Sequence, residues 1–445
     1  MKQLFIAILA LFPVVGTAQE HVSLEDCIRM AQSNNKKIKA SERLLKSAEF
    51  QRRSAKGLFF PSFSLEGAVL YSTSDGTLPI AGGRLPVLGM DGNPKGQTAF
   101  FPGLNLDYEM GWIFNAGIQL KQPIYMGGKI RAGYQMSKIG QEMAQQNKRL
   151  TEAEVIVATS RAYAEVVRTK ELMQVARSYH NLLTELKRTV EKARQHGMKP
   201  QNDVLKVEVK LNESELNLRR ATNGHRLAMM NLCHYVGRPL SDSLDVDSNL
   251  PEPVQETAAE SSILNRPEYL LLEKKKDMAH QKVLMARSDY LPQIGLVGNY
   301  GYANGVELNG QKLMDGFGFH VGLKVSVPLF DFGHRINKIK TARAQYEQTC
   351  AEHDDTGEML QLQMNQSFNQ LDEAFLEKRL AESSVASANE NLRSSRLHYE
   401  QGMETMSDYL EAQTMWQKAR QTQVDARVNC YLTWLEYLKA TGKIN

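Results

Sequence analysis

Four short segments alternate apolar and polar residues with a period of two. In the first, Phe63, Leu65, Val69 and Tyr71 fall on one side and Ser62, Ser64 and Glu66 on the other. In the second, Trp112, Phe114, Ala116, Ile118 and Leu120 oppose Asn115, Gly117, Gln119 and Lys121. The third sets Ile294, Leu296, Tyr300 and Tyr302 against Gln293, Gly295 and Asn299. The fourth sets Phe317, Phe319, Val321, Leu323, Val325 and Val327 against Gly318, His320, Gly322, Lys324 and Ser326. This period predicts β-strands with one apolar face. Segments of about ten residues with aromatic residues near their ends have the pattern of a transmembrane β-barrel. An ordinary half-buried sheet alternates too; a secretion signal, described below, favours the membrane.

Elsewhere the period changes. Residues 129–196 and 334–401 contain no proline, and each runs for 68 residues. As helices, at about 1.5 Å per residue, each would reach about 100 Å. Residues 203–236 and 405–441 predict shorter helices after them, and 23–57 and 262–288 two more, opened by Ser23 and Ser261–Ser262. Leu150, Ala153, Val157, Ser160, Ala164 and Val167 step by three and four, and Leu172, Val175, Tyr179, Leu182 and Leu186 resume the pattern one residue out of phase. Met364, Phe368, Leu371 and Phe375 do the same in the second half. Alternating steps of three and four predict shallow, coiled-coil-like packing.

The two halves repeat. Pro123 and Pro328, Gly128 and Gly333, Gly197 and Gly402, Asp203 and Asp408, and Gly237 and Gly442 all lie 205 residues apart. Five punctuating residues at one ungapped offset point to duplication of a strand–helix–turn–helix unit. Upstream, Pro61 and Pro292 correspond at an offset of 231, so the first unit carries 26 extra residues between its strands. Those residues fall in 73–107, whose Gly82-Gly83, Pro86, Asn93-Pro94 and Pro102-Gly103 predict an irregular loop. Residues 303–316 are its shorter counterpart. The expected plan is a signal peptide at 1–18, a first repeat at 19–237, a linker at 238–262 and a second repeat at 263–445.

Composition narrows the class. Of 445 residues, 42% are apolar and 23% charged, which excludes a disordered chain. Lys and Arg number 54 against 50 Asp and Glu, a balance that does not fit a nucleic-acid binder. A mean hydropathy of −0.41 excludes a polytopic helical membrane protein. Residues 1–18 carry Lys2, a short apolar run and the small Gly16-Thr17-Ala18, the parts of a cleavable signal peptide. Cys27 follows Leu24-Glu25-Asp26, which is no lipoprotein signal. Cys27, Cys233, Cys350 and Cys430 are too scattered for a disulfide framework or zinc site; they are free or paired, and helical placement favours buried thiols. No phosphate loop, nucleophile elbow or zinc-helix motif occurs. The expectation is therefore no enzyme, no cofactor and no metal. The chain leaves the cytoplasm, and four strands cannot close a membrane barrel. Several copies must share one: two give eight strands, three give twelve.

Gln122-Pro-Ile-Tyr-Met-Gly-Gly128 and Val327-Pro-Leu-Phe-Asp-Phe-Gly333 are similar to the strand-to-helix turns of the TolC family of outer-membrane efflux proteins. Tyr399-Glu-Gln-Gly402 through Asp408-Tyr-Leu-Glu411 resembles that family's helix–turn–helix tip, and Leu227 through Leu240 and Tyr431 through Gly442 the ends of its two hairpins. The resemblance spans essentially the whole mature chain. It implies a mainly α fold with a membrane β-barrel: a homotrimer whose twelve strands continue into a long periplasmic α-helical barrel. It further implies a passive exit duct in outer membrane lipid, joined to a periplasmic adaptor (membrane fusion) protein and an inner-membrane pump of RND or ABC type.

The resemblance also places the sites. Asp408 and Glu411, with Asp203 on the partner turn, would constrict the periplasmic aperture, where rings of carboxylates attract cations and raise one another's pKa. A solvated acidic face, or N-terminal helix capping by Asp203, is the plainer role for such residues. Gly197, Met198, Lys199, Gly402, Met403 and Thr405 form the helix tips an adaptor would grip, although glycine is also what a plain helical turn needs. The family often carries a basic residue two positions after the tip glycine; Glu404 stands there instead, against a closed-state ion pair at that position. From the strand pattern, Lys121, His320 and Lys324 line the barrel lumen or, for the lysines, snorkel to the interface. The alternative to a duct is a trimeric outer-membrane anchor or adhesin with a structural coiled coil and no transport role. Against it, the strands form two separated hairpins and the C-terminus is helical.

Overall fold

The computed structural model describes residues 21–254 and 262–444; the expected signal peptide lies outside them. The elements are β1 (His21–Val22), α1 (Leu24–Asn34), α2 (Lys36–Gly57), β2 (Ser62–Tyr71), β3 (Asp75–Ile80), β4 (Gly83–Leu88), β5 (Pro94–Phe101), β6 (Leu104–Met126), α3 (Lys129–Gln195), α4 (Gln201–Val236), β7 (Asp245–Val246), α5 (Pro267–Ser288), β8 (Gln293–Leu308), β9 (Gln311–Ser326), α6 (His334–Glu400) and α7 (Met406–Ala440). No described helix is long and apolar enough to cross a membrane.

The chain divides into two compact units, and each sequence repeat contributes to both. The first unit spans Met1–Ser47, Glu142–Lys275 and Cys350–Asn445, and the regular structure of its described residues is helical apart from the short parallel pair β1–β7. Its larger core gathers Val22, Leu24 and Cys27 with Tyr163, Val166 and Val167 of α3, Leu232 and Cys233 of α4, and Val428 and Tyr431 of α7. A second core packs Tyr179, Leu183, Leu186 and Val190 against Val204, Val207, Tyr399, Met406, Tyr409 and Leu410. In α6 the buried seam runs Met364, Ser367, Leu371, Ala374, Ala381, Val385, Ser395 and Tyr399. The expected Phe368 and Phe375 flank it half-buried. Small Ser and Ala alternate with larger residues along the seam, and Phe368 meets Tyr437 beside it at a ring distance of 6.2 Å.

The second unit comprises Ala48–Gln141 and Lys276–Thr349. It holds an antiparallel sheet in the order β2-β6-β8-β9, with β3 also on β6. The register sets Leu65, Ile118, Tyr300 and Phe319 side by side across four strands, so the apolar faces predicted separately become one face. Within the chain that face is bare: Leu65 is 82% exposed and Phe319 71%.

Four expectations change. Residues 73–107 are not an irregular loop: β3 extends the sheet, β4 pairs with β5, and β6 begins at Leu104. Pro79 and Pro86 sit on peripheral strands, where a missing N–H costs least. Likewise β8 and β9 run on to a two-residue turn, Asn309-Gly310, with φ of 51° and 75°. That is the Asn-Gly signature of a tight hairpin. The helix expected over 23–57 breaks at Asn35, whose extended backbone frees its side chain to donate to the Tyr235 carbonyl at 3.2 Å. The helix expected from 262 starts at Pro267, where proline suits the first helical position.

Candidate functional site

The two helix turns of the first unit are copies. The N–H of Gly197 bonds to the Arg194 carbonyl at 2.8 Å and that of Met198 to Ala193 at 2.9 Å; Gly402 bonds to Tyr399 at 3.2 Å and Met403 to His398 at 2.8 Å. This double bond pattern closes each helix with a left-handed glycine, at φ of 73° and 77°. Met198 and Met403 project into solvent, 68% and 71% exposed. Lys199 is folded back, its Nζ 4.2 Å from the centre of the Tyr399 ring. Tyr399 stacks on Tyr409 at 5.3 Å, and its buried hydroxyl has no hydrogen-bond partner. Burial, and then the charge of Asp203, push that phenol up to about 12.

Thr405 caps α7. Its hydroxyl accepts from the Asp408 N–H at 3.3 Å, while Asp408 Oδ2 accepts from the Thr405 N–H at 3.1 Å and hydroxyl at 2.7 Å. The Thr405 hydroxyl and then its N–H hold the Asp408 carboxyl below the usual carboxylate range, with Lys206 adding to the effect. Within one chain the direction is thus the opposite of that expected for crowded acids. Lys206 Nζ donates to Ser407 Oγ at 2.9 Å, bringing the starts of α4 and α7 together. Asp203 lies in the first turn of α4, which has no side-chain cap. Glu411 is exposed one turn after Asp408. Glu404 turns back onto its own hairpin, accepting from Ser395 Oγ and lying 3.2 Å from His398 Nδ1.

In the second unit Lys121, His320 and Lys324 share the polar face of the sheet. Lys121 Nζ is 3.4 Å from Glu66 Oε1 on the neighbouring strand. His320 stands opposite Asn299, and Lys324 opposite Gly295. Below the sheet, Asp289 accepts from Lys129 Nζ at 3.1 Å and Lys338 Nζ at 2.6 Å, joining the first turns of α3 and α6. Lys338 first and then Lys129 hold its carboxyl below the usual range, against the opposing pull of burial.

Sequence reasoning missed Lys199–Tyr399, Lys206–Ser407 and Asp289 with its two lysines. Each joins residues of different repeats or distant elements, and no local spacing marks them. All four cysteines are free, with Cys27, Cys233 and Cys430 buried. Burial pushes the Cys27 thiol up to about 12. Among the described residues, no group of three or more His, Cys, Asp or Glu could hold a metal ion.

The sequence profile of the outer membrane efflux proteins matches residues 27–238 and 258–443, one segment for each repeat. The proteases secretion protein PrtF of Dickeya chrysanthemi is 23% identical over 338 residues, 74% of this chain and 72% of that protein. The outer membrane protein TolC of Vibrio cholerae is 21% identical over 349 residues, 75% of this chain and 77% of its own. The crystal structure of the Campylobacter jejuni CmeC outer membrane channel superposes with a TM-score of 0.74 at 19% identity, covering 94% of this chain and 85% of that one. That likeness establishes a shared fold, mainly helical with a small sheet.

Proposed function

The chain belongs to the outer membrane efflux protein family, and on that footing we propose that it is the passive exit duct of a tripartite efflux or secretion system, working as a homotrimer. The observation that carries the reading is the unfinished sheet. Among the described residues it ends in two edge strands, β2 and β9, each paired on one side only, and it exposes a continuous apolar face. Lipid offers no hydrogen bonds to open edges, so β9 of one copy pairs with β2 of the next and three copies close twelve strands. The helices form the periplasmic portion. The glycine turns, with Met198, Lys199, Met403 and Thr405, present the surface an adaptor grips, and an inner-membrane pump of RND or ABC type drives the cargo.

In three copies, Asp408 and Glu411 stack as acidic rings with Asp203 beside them, and the aperture they narrow prefers cations. Capping and constriction are compatible roles for Asp408, because the cap uses Oδ2. Single-channel recording in a planar bilayer tests the duct. The wild type should conduct in small cation-preferring steps, and Asp408→Asn/Glu411→Gln should lose that preference or enlarge the steps. Stable steps identical in the variant would move the constriction away from these residues. Silence from a folded, inserted oligomer would favour the anchor reading over the duct.

A further inference from the structure

Register gives every residue on the polar face of the sheet an address. One row across four strands reads Ser64, Gln119, Asn299, His320, and the next, toward the strand ends that lead into α3 and α6, reads Ser62, Lys121, Val297, Gly322. Lys324 stands one row further, opposite Gly295. In the other direction the rows read Glu66, Gly117, Gly301, Gly318 and then Ala68, Asn115, Ala303, Gly316.

The small residues of that second band are enforced by the backbone. A Cβ on Gly301 would lie 2.6 Å from Gly117 Cα, and one on Gly117 would lie 2.8 Å from Gly301 Cα. Neither position accepts a side chain. A Cβ on Gly318 would lie 3.1 Å from His320 Cε1, so the imidazole leans over that glycine. Long polar side chains are therefore concentrated at the helix-proximal end of the face. There Lys121 is offset by Glu66, 3.4 Å away, while Lys324 has no carboxylate partner among the described residues. The belt carries one more cation than anion per chain even with His320 neutral.

We propose that, given the duct reading, Lys324, Lys121 and His320 of three copies form a basic collar in the barrel that favours anionic cargo. Fixed charges on a low-dielectric wall focus the field across a narrow aqueous lumen and enrich counter-ions there. The band beyond it, glycine and alanine but for Glu66 and Asn115, supplies bore with few side chains to read the cargo. The collar and the acidic tips are separate sets of fixed charge, and they pull selectivity in opposite directions.

Reversal potentials under a potassium chloride gradient test this on the full-length oligomer. Lys121→Gln/Lys324→Gln should lower the chloride-to-potassium permeability ratio by roughly two-fold or more, and Glu66→Gln should raise it. Lys324→Gln alone should give most of the fall, because Lys324 is the unpaired charge. Asp408→Asn/Glu411→Gln should shift the ratio upward, opposite to the lysine variants. Glutamine keeps the length of both lysine and glutamate at exposed positions, so equal oligomer yields are expected. Normal conductance with the same ratio in the lysine and glutamate variants would overturn the collar while leaving the duct intact. Absence of conductance in every folded oligomer would overturn the duct, and the collar with it.

Discussion

At Gln413 the helical unit contains a residue that local pattern does not explain. Its side chain is wholly buried in α7, and neither amide atom has a hydrogen-bond partner. An unsatisfied buried polar group costs about 1–3 kcal/mol. Gln413→Leu, of similar volume, should therefore raise stability by about 1–2 kcal/mol, read as a higher denaturant midpoint with unchanged slope. The opposite case is Asp408, three residues after Thr405. Its acid-at-the-cap role is legible from Thr-x-x-Asp alone, since capping is local. Duplication can also be read residue by residue. Gly127 and Phe332 occupy the same place in the two strand-to-helix turns, with φ of 60° and 52°. Only the first requires glycine for space: a Cβ there would lie 2.4 Å from the Ser288 carbonyl oxygen.

Between elements, Asp289 ties the end of α5 to the starts of both long helices. Its carboxylate sits near two helix N-termini and offsets two lysines placed at the positive ends of their dipoles. Because its pKa is lowered in the folded state, its contribution is present above the ordinary carboxylate pKa, about 3.9, and is lost as pH falls through the lower folded value. Asp289→Asn should cost about 1–2 kcal/mol at neutral pH and flatten the acid limb of the stability profile. Denaturant titrations of wild type and variant from neutral to acid pH measure this; parallel acid limbs would refute the assignment. The long helices were legible in sequence, because 67 residues without proline leave few alternatives. The strands of 73–107 were not, because proline and glycine mark turns and peripheral hairpins alike.

For the whole molecule, open sheet edges and a bare apolar face support the proposed assembly of several copies. Native mass spectrometry from detergent should give a particle of three chains. Two chains would mean an eight-stranded barrel, and one would leave both edges unpaired. Assembly also gives Asp203, Asp408 and Glu411 their proposed role: each is one carboxylate in a chain and a ring only in the oligomer.

The sequence by itself determined the periodic elements, the duplication and the alternation that separates an apolar side of the sheet from a polar one. These follow from spacing along the chain, since helix and strand periods are local. Even the turns repeat at the same offset, down to the left-handed glycines at 197 and 402. Tertiary structure decided which residues meet at long range along the chain, from about fifty positions to more than two hundred: Asp289 with Lys338 and Lys129, Lys199 with Tyr399, and Ser64 through His320 in one row. Those contacts depend on register and on packing between elements, where a shift of a single residue changes every partner.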